Sequence, residues 1–383
     1  MTTPKVAGQL PTLDLVRQVT DRHVIEQLLA TDTLTRAELA ARTGISKPTA
    51  SESVRRLLDV EILEEAGRQL GKRGPAGTYY RLGSGLGVAL AVSAGPDGVV
   101  VDSYDLRGQR LGRIEHDVPS PIDTARLSPV LVEAVRAATV SAPGPVLSCA
   151  VSVAGPVDRA TGRLVRLPNA PFLLDEFAPQ ELISAITRSP VTVDNDVNWM
   201  ALAEHDRGAA RGLDQFLLCY LGAGIGSAIV LDGAVFRGSG GVAGELAYVS
   251  TTGPGGRSMR LLDCFAAWDL RQPGSDAIDS DALRAVLADE RPPARSRRAQ
   301  IVEAVATAIA SSVAVLNPAA VLIGGPWGAV PGFTERVADR ITDRAALRIE
   351  VRRVELGGDS PQIGAGIRAV QAAQSVLVGR LGQ

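Results

Sequence analysis

Apolar residues recur at helical spacing near the amino terminus and then change to short continuous runs after residue 83. Runs of the second kind, bounded by glycine and separated by amphipathic segments, are typical of buried strands that alternate with helices. They predict strands at Val88–Val92, Val99–Tyr104, Leu147–Val153, Val191–Val193, Phe216–Leu221, Ser227–Leu231 and Val321–Ile323. Helices are predicted between several of them, at Pro129–Ala138, Val197–Arg207 and Ala299–Val315. This alternation favours a layered α/β architecture from residue 83 onward.

Residues 35–58 carry start and stop signals for two helices joined by a tight turn. Thr35 can cap the first helix, and Glu38 three residues later completes a capping box. Gly44 stands where a left-handed residue ends that helix. Ser46 can cap the second helix, whose Pro48 falls in the first turn, where a missing N–H costs little.

The second of these helices has two different faces. One face is apolar except for a glutamate at the helix end, and it comprises Ala50, Val54, Leu57, Leu58 and Glu61. The other face presents hydroxyl, carboxylate and guanidinium groups, which can contact base edges or phosphates. Candidate DNA contacts on this face and its flanks are Lys47, Thr49, Ser51, Glu52, Arg55 and Arg56. An ordinary surface helix in a small bundle would show the same two faces.

Two strand-like runs follow this helix, at Ile62–Glu65 and Thr78–Leu82, around a glycine-rich loop. The loop carries Arg68, Lys72 and Arg73, and a basic loop between two strands is the outline of a wing that contacts phosphate or the minor groove. We therefore predict a winged helix-turn-helix DNA-binding domain at residues 1–82, with these three cations among its DNA contacts.

Composition limits the remaining possibilities. The chain of 383 residues, 45% hydrophobic with a net charge of −2, is long enough for about two to three domains. Its three cysteines are far apart and form no CxxC pair, which argues against a disulfide framework and a cysteine-rich zinc site. We expect no membrane span and no signal peptide, and hence a cytoplasmic protein. The arginine-rich stretch at residues 291–298 is interpreted as a solvated loop, with a phosphate-binding patch as the alternative.

Glycines cluster again in Leu221–Ser227, at Asp232–Gly233 and in Arg237–Glu245. Such spacing lets a strand-turn-strand approach a ligand closely, although a simple β-hairpin has the same glycines. Together with the winged helix, this segment resembles the ROK family of repressors, open reading frames and sugar kinases, from about residue 16 to residue 370. The resemblance implies an actin-like, ribonuclease-H-like ATPase fold in residues 83–383. It implies two lobes, with a cleft between about 83–190 and 191–360, and a C-terminal helix that packs back.

Several further segments carry the resemblance. Ala154–Asp158 resembles the first sugar-contacting segment of the family, and Val193–Asn198 resembles its NDAN segment, in which the aspartate acts as general base on a sugar hydroxyl. Gly244–Glu245 resembles its sugar-binding glutamate. The resemblance implies the ligand-binding candidates Asn169, Asn195, Asp196, Glu245, Tyr248 and Asp263. Amides and carboxylates suit sugar hydroxyls, which both donate and accept hydrogen bonds. Each candidate could instead be a satisfied polar residue or, as for Asn169 after proline, a turn former.

The departures from the family concern phosphate and zinc. The kinases carry a DxGGT phosphate loop, but the corresponding residues here are Ser93–Asp97, in which a proline removes one N–H donor and Asp97 would repel phosphate. Ala223 replaces the usual threonine of the second phosphate loop. The zinc-binding histidine of the family falls at Tyr248, and its cysteine-rich segment falls at about Pro254–Leu261, which has no cysteine. We expect no zinc, since a structural site needs four N or S ligands, and no cofactor.

These observations predict a transcriptional regulator of sugar metabolism, most simply a repressor. It would bind a two-fold operator as a homodimer or homotetramer and respond to a sugar effector. No catalytic residue is expected, because Asp196, the counterpart of the kinase base, lacks a phosphate cradle beside it. The alternatives are an active sugar kinase with a DNA-binding extension and, less well supported, a structural dimeric scaffold.

Overall fold

We describe a computed structural model of the chain for residues 13–68, 77–96, 98–118, 123–168, 177–344 and 348–380. The amino-terminal elements are α1 (Leu13–Ala30), β1 (Leu34–Thr35), α2 (Arg36–Thr43), α3 (Lys47–Asp59), β2 (Leu63–Arg68) and β3 (Thr78–Leu82). The three strands form a small antiparallel sheet in the order β1-β3-β2. Three helices beside a β-hairpin are the arrangement predicted for a winged helix.

The predicted signals of the helix-turn-helix are confirmed residue by residue. Thr35 and Glu38 form the reciprocal capping box of α2, and Gly44 ends that helix in the left-handed conformation. Ser46 accepts from the backbone N–H of Thr49 at the start of α3, whose first turn contains the proline. The apolar side of α3 is buried as predicted at Ala50, Val54 and Leu57, but the helix ends at Asp59, so that Glu61 lies beyond it, exposed.

The first lobe of the larger module is a five-stranded sheet with two helices. Its elements are β4 (Val88–Gly95), β5 (Gly98–Tyr104), β6 (Arg110–His116), α4 (Thr124–Ser141), β7 (Val146–Val153), α5 (Pro179–Thr187) and β8 (Val191–Asn195). The strand order is β6-β5-β4-β7-β8, in which β4 to β6 are antiparallel neighbours and β7 and β8 run parallel to β4.

The second lobe begins with a helix that follows β8 directly. Its elements are α6 (Asp196–Arg207), β9 (Phe216–Leu221), β10 (Ile225–Leu231), β11 (Ala234–Phe236), β12 (Ser250–Thr252), β13 (Ser258–Arg260), α7 (Leu261–Ala267), α8 (Ser280–Ala288), α9 (Pro292–Leu316), β14 (Ala320–Gly324), α10 (Gly325–Gly328), α11 (Phe333–Thr342), β15 (Glu350–Arg353) and α12 (Ser360–Gly379). Its main sheet has the order β11-β10-β9-β14-β15. Numbered from the first strand of each sheet, both lobes have the order 3-2-1-4-5. This duplication agrees with the actin-like architecture that the family resemblance implies.

Every strand and helix expected after residue 83 is present, and most are longer than expected. The interpretation of residues 291–298 as a loop was wrong. Pro292 and Pro293 occupy the first turn of α9, where proline is tolerated. Arg298 is 7% exposed and donates to both carboxylate oxygens of Glu290, at 2.7 and 3.0 Å, so this part of the stretch stabilises the fold.

Helix α9 is also the one helix among the described residues that is long and apolar enough to span a membrane by length and composition, which the sequence analysis did not expect. It packs against α11, α8 and β12, and Ile301, Val305 and Ile309 are fully buried in the core of the second lobe. We therefore attribute its apolar character to packing within the core.

Helix α12 joins the parts of the molecule. It packs on β4 and β7 of the first lobe and on α6, the helix that begins the second lobe. The apolar cluster that holds Ala365, Ala369 and Leu377 of α12 continues without a break to Val24 and Leu28 of α1. One hydrophobic core therefore connects the large module with the winged helix.

Candidate functional site

The exposed face of α3 is the candidate nucleic-acid interface. Its side chains Lys47, Thr49, Glu52 and Arg55 are exposed, and Ser51 is partly exposed. Arg55 donates to both oxygens of Glu52, at 2.6 and 3.2 Å, and this guanidinium holds the pKa of the Glu52 carboxyl below its usual range. Because both side chains are largely solvated, the pair contributes little to stability and can exchange for a phosphate or a base edge.

Arg56 lies differently from the rest of this face. It is half-buried and donates to both oxygens of Asp21 on α1, at 2.6 and 3.3 Å. The same carboxylate accepts from the hydroxyl of Ser53, which is fully buried. The sequence placed Arg56 opposite the apolar stripe, which is correct by angle, but α1 packs against that edge of α3 and engages the side chain. We therefore correct the expectation that Arg56 is a free DNA contact: it ties α3 to α1.

The predicted wing is present as the hairpin of β2 and β3, with a bulge between Glu65 and Gly67. Arg68 is exposed at the end of β2, next to the wing tip. Lys72 and Arg73 lie outside the described residues, as does Asn169 of the sugar-binding candidates.

The cleft is built where β8 ends and α6 begins. The carboxylate of Asp194 accepts from Arg237 at 2.6 Å, from the Asn198 amide at 2.7 Å and from the backbone N–H of Asn195 at 2.8 Å. Asn195 caps α6 by accepting from the N–H of Val197 at 2.8 Å. This network fixes the turn between strand and helix and so places Asp196, the first residue of α6, at the mouth of the cleft.

Asp196 and Glu245 are the titratable pair of the cleft. Burial raises the pKa of Asp196 to about 6, and the charge of Asp194 adds to the shift. Burial also raises the pKa of Glu245 to about 7, with the charge of Asp196 as the second cause. Gly244 precedes Glu245 with φ of +88° and lies so close to Ser227 that a Cβ would meet the Ser227 carbonyl oxygen at 2.7 Å. Glycine at this position therefore brings Glu245 against β10, facing α6.

A cavity of about 120 Å³, the first cavity, lies between these carboxylates. Its walls come from both lobes and include Gly155, Asn195, Asp196, Glu245 and Tyr248. Four of the five described sugar-binding candidates are thus brought together. The Tyr248 hydroxyl donates to the carbonyl of Pro168 at 2.6 Å, so the tyrosine offers mainly its ring to a ligand.

Asp263 does not line the first cavity and is corrected as a sugar ligand. Its two oxygens accept from Arg260, at 2.7 and 3.0 Å, in the first turn of α7. The family resemblance implied that Asp263 binds the sugar, but the α7 turn directs its carboxylate to this ion pair instead.

The segments that would hold ATP phosphates in a kinase are short hairpins here. Strands β4 and β5 pair up to Gly95 and Gly98, which leaves only residues 96 and 97 between them. Strands β9 and β10 are joined by residues 222–224, and the carbonyl of Ala223 already accepts from the N–H of Ile278 at 2.9 Å. These glycines therefore form a hairpin, the simpler of the two interpretations of the sequence.

A second cavity of about 270 Å³ lies under the β4–β5 hairpin and shares Ala154, Asp196, Val197 and Tyr220 with the first. Sequence reasoning missed five of its polar residues, which are Ser152, Arg113, Glu115, Asp359 and Gln362. They come from three distant segments of the chain, so no local motif could have found them. A groove of about 640 Å³ between α4 and α5 is larger, but it contains neither carboxylate of the cleft.

Within the part of the chain that the structure describes, no three His, Cys, Asp or Glu side chains converge as metal ligands would. The three cysteines are buried and unpaired with one another. The absence of zinc stays a prediction, which elemental analysis of the purified protein tests.

Comparison with known protein families gives two matches. Residues 17–64 match the winged helix-turn-helix DNA-binding family, and residues 89–257 match the ROK family. A crystal structure titled as a ROK family transcriptional regulator, homolog of the E. coli MLC protein, superposes with a TM-score of 0.68 at 20% identity, over 96% of this chain and 99% of that one. The predicted winged helix and actin-like fold are thereby confirmed.

Curated relatives are similar over part of the chain. The bifunctional enzyme NanE/NanK of Brucella melitensis biotype 1 is 30% identical over 218 residues, which is 56% of this chain and 42% of that protein. The putative xylose repressor of Caldicellulosiruptor sp. is 23% identical over 245 residues, which is 62% of this chain and 59% of that protein. The chain thus spans less than half the length of the first of these relatives.

Proposed function

We propose that the chain is a sugar-responsive DNA-binding repressor of the ROK family, because residues 89–257 match that family and residues 17–64 match a winged helix-turn-helix. The single observation that carries this proposal is the coexistence of an exposed recognition helix with a cleft that keeps its sugar-side carboxylates. The similarity to a protein named as a putative xylose repressor supports the same function.

The exposed residues of the DNA-binding domain support two kinds of DNA contact. The exposed or partly exposed residues of α3 are available to the major groove, and Arg68 at the end of β2 is available to the DNA backbone. Those of α3 are Lys47, Thr49, Ser51, Glu52 and Arg55. The domain border lies at residues 82 and 83, and the repressor binds a two-fold operator in the cytoplasm as a homodimer or homotetramer. Two-fold symmetry would match two recognition helices to two half-sites.

The coupling between cleft and DNA is carried by α12. Its first turn borders the second cavity at Ser360 and Gln362. Three turns later, the Gln374 amide donates to the carbonyl of Leu106 at 2.8 Å, and the adjacent Arg107 is ion-paired with Asp32 after α1. A ligand that closes the lobes would move α12 and, through these contacts, the winged helix. Couplings of this kind amount to about 1–3 kcal/mol, or roughly a five- to 150-fold change in operator affinity.

The second candidate function is an active sugar kinase, which the presence of Asp196 favours. The phosphate side of the cleft opposes it, because phosphoryl transfer depends on positioning and charge neutralisation. The two-residue turn between β4 and β5 contains Pro96, which has no N–H, and the acidic side chains Glu115 and Asp359 border the cavity beneath it. We therefore propose that the protein has no kinase activity.

Fluorescence anisotropy with the protein's own promoter region tests the DNA-binding half of this proposal. Thr49→Ala and Arg55→Ala should weaken specific binding by roughly five- to 150-fold, since each good base contact contributes about 1–3 kcal/mol of discrimination. Arg68→Ala should weaken binding to all sequences and flatten its salt dependence. Arg284→Ala, on α8 in the second lobe, is the matched control and should bind as wild type. Unchanged binding in both α3 variants would refute the assignment of the recognition helix.

A further inference from the structure

The second cavity contains two buried polar side chains whose hydrogen-bonding capacity is not met. Ser152, 1% exposed at the end of β7, has a hydroxyl without a partner. Gln362, 5% exposed in the first turn of α12, donates its amide N–H to the carbonyl of Ala91 at 3.0 Å, while its Oε1 has no partner. A buried polar atom without a partner costs about 1–3 kcal/mol, so a ligand that gave each of these two atoms a hydrogen bond would gain affinity from both.

The charged side chains that line this cavity are either acidic or, in the case of Arg113, already paired with carboxylates. Arg113, the only cation among its described lining residues, donates to both oxygens of Asp102 at 2.8 and 2.9 Å. It also lies 3.3 Å from Glu115 and 3.5 Å from Asp359. The amino end of α12 borders the cavity too, but Pro361 lacks an N–H and Asp359 already places a negative charge there. Phosphate therefore meets more repulsion than attraction.

A ligand of this cavity must instead supply hydrogen-bond donors. Gln362 Oε1 only accepts hydrogen bonds, and so do the carboxylates of Asp196, Glu115 and Asp359 when they are ionised. The Ser152 hydroxyl both donates and accepts. A phosphate dianion offers acceptors alone, whereas every sugar hydroxyl can donate. The chemistry that fits is a neutral polyol.

The size and position of the two cavities extend this argument. At about 120 and 270 Å³, neither alone reaches the roughly 300 Å³ at which small-molecule pockets begin, whereas the two together do. They adjoin at Asp196, so a molecule in one can continue into the other.

We propose that the effector is an uncharged saccharide of at least two units, or a glycoside, with one sugar unit in the first cavity and its second unit on Ser152 and Gln362 in the second cavity. This inference rests on the proposed function, since it assigns the ligand class of the same cleft. The space that serves ATP phosphates in a kinase is here part of the effector site.

Calorimetric titration of the full-length protein with a fixed panel of sugars tests this proposal. The panel comprises glucose, galactose and xylose, the disaccharides cellobiose, maltose, melibiose and xylobiose, and glucose 6-phosphate. One disaccharide should bind at least about tenfold more tightly than its component monosaccharides and than the hexose phosphate, because it alone supplies donors to both cavities. Thermal unfolding without ligand accompanies each variant.

Two variants locate the second unit. Ser152→Ala removes a hydroxyl that has no internal partner, so it should fold at least as well as wild type and yet bind the disaccharide about fivefold more weakly or worse. Gly358 lines the second cavity, and a Cβ added there meets nothing within 4 Å, so Gly358→Leu should block the cavity without a backbone clash. It should lower disaccharide affinity at least about tenfold and leave monosaccharide affinity unchanged. Gly379→Leu is the control, because Gly379 is equally open but ends α12, whereas Gly358 lies just before the first residue of that helix.

The outcomes separate this inference from the proposed function. Tighter binding of a monosaccharide or of glucose 6-phosphate than of any disaccharide overturns the inference and leaves a sugar-responsive regulator. Equal losses for both sugar sizes in Gly358→Leu also overturn it. If no sugar of the panel binds to protein that still binds promoter DNA, the inference falls together with the sugar half of the proposed function, while the DNA half remains.

Discussion

The two cavities of the cleft meet at Asp196 but differ in what the chain provides beyond it. The first keeps the acceptors expected of a sugar site, with Glu245 held against β10 by the tight turn at Gly244. The second, where a kinase holds phosphates, is covered by a two-residue turn and bordered by Glu115 and Asp359. Under the proposed function, this difference corresponds to a change from phosphoryl transfer to sensing: recognition needs acceptors in fixed positions, whereas phosphoryl transfer also needs charge neutralisation.

The largest expected effect concerns ATP. Wild-type protein incubated with ATP, Mg²⁺ and the sugar panel should show no ADP release above background, although kinases typically turn over at about 1–100 s⁻¹. A coupled assay measures this directly. Sugar-dependent ADP release that disappeared in Asp196→Asn would show that the second cavity still serves phosphate, and the contrast between the cavities would fail.

The next effect concerns the first cavity. Glu245→Ala should lower sugar affinity by about tenfold to 150-fold, because it removes an acceptor from a site where a charged hydrogen bond contributes about 1.5–3 kcal/mol. Calorimetry measures the loss. Asp263→Ala is the matched control, since this carboxylate lies nearby but pairs with Arg260 and does not line the cavity. Equal losses in the two variants would place the sugar elsewhere.

A smaller effect distinguishes two neighbouring arginines of α3. Arg56→Ala should lower the free energy of unfolding of the winged helix by about 1–3 kcal/mol, because it leaves the Asp21 carboxylate, 9% exposed, without its cationic partner. Arg55→Ala should leave stability unchanged, because its ion pair with Glu52 is solvated. Thermal unfolding measures both. Equal stability of the two variants would mean that Arg56 does not tie α3 to α1 and is available to contact DNA.

The smallest effect is the pH dependence of the free protein. Native Asp196 and Glu245 have pKa values of about 6 and 7, above those of the unfolded chain, so the native state binds more protons between about pH 4 and pH 7. The contribution of these groups to the free energy of unfolding should therefore fall as pH rises through that window and level off above it. In Glu245→Gln, the free energy of unfolding should fall by on the order of 1 kcal/mol less over the same pH window. Urea unfolding at several pH values measures this difference. If the free energy of unfolding had the same pH dependence in wild type and in Glu245→Gln, Glu245 would have to be solvated.

Local signals explain why most of the fold was predictable. The capping box at Thr35, the left-handed Gly44 and the Ser46 cap depend on residues three to four positions apart, and the structure has each of them. The central strands of the two large sheets, β4, β7, β9 and β14, are continuous apolar runs, as expected where both faces of a sheet are covered. The arginine-rich stretch misled because its two prolines occupy the first turn of a helix rather than a loop.

The site was predictable where the family resemblance followed one segment and not where it depended on packing between segments. Asp196 and Glu245 lie in local motifs, and both line the cleft. Arg56 pairs with a residue 35 positions away, so its partner did not follow from spacing. Asp263 pairs with Arg260 only three residues before it, but whether it lines the cavity depends on how α7 packs. Ser152 and Gln362 meet only because α12 returns to the first lobe from the end of the chain.

The central claim is that a ligand in the cleft changes the affinity of the winged helix for DNA. Its most direct test is a titration of labelled promoter DNA with full-length protein, with and without the tightest-binding saccharide, for wild type and Glu245→Ala. For wild type we predict a change in operator affinity of roughly five- to 150-fold. In Glu245→Ala we predict wild-type affinity without sugar and no response to it. An operator affinity that saccharide leaves unchanged in wild type, at concentrations that calorimetry shows to be saturating, would contradict the account.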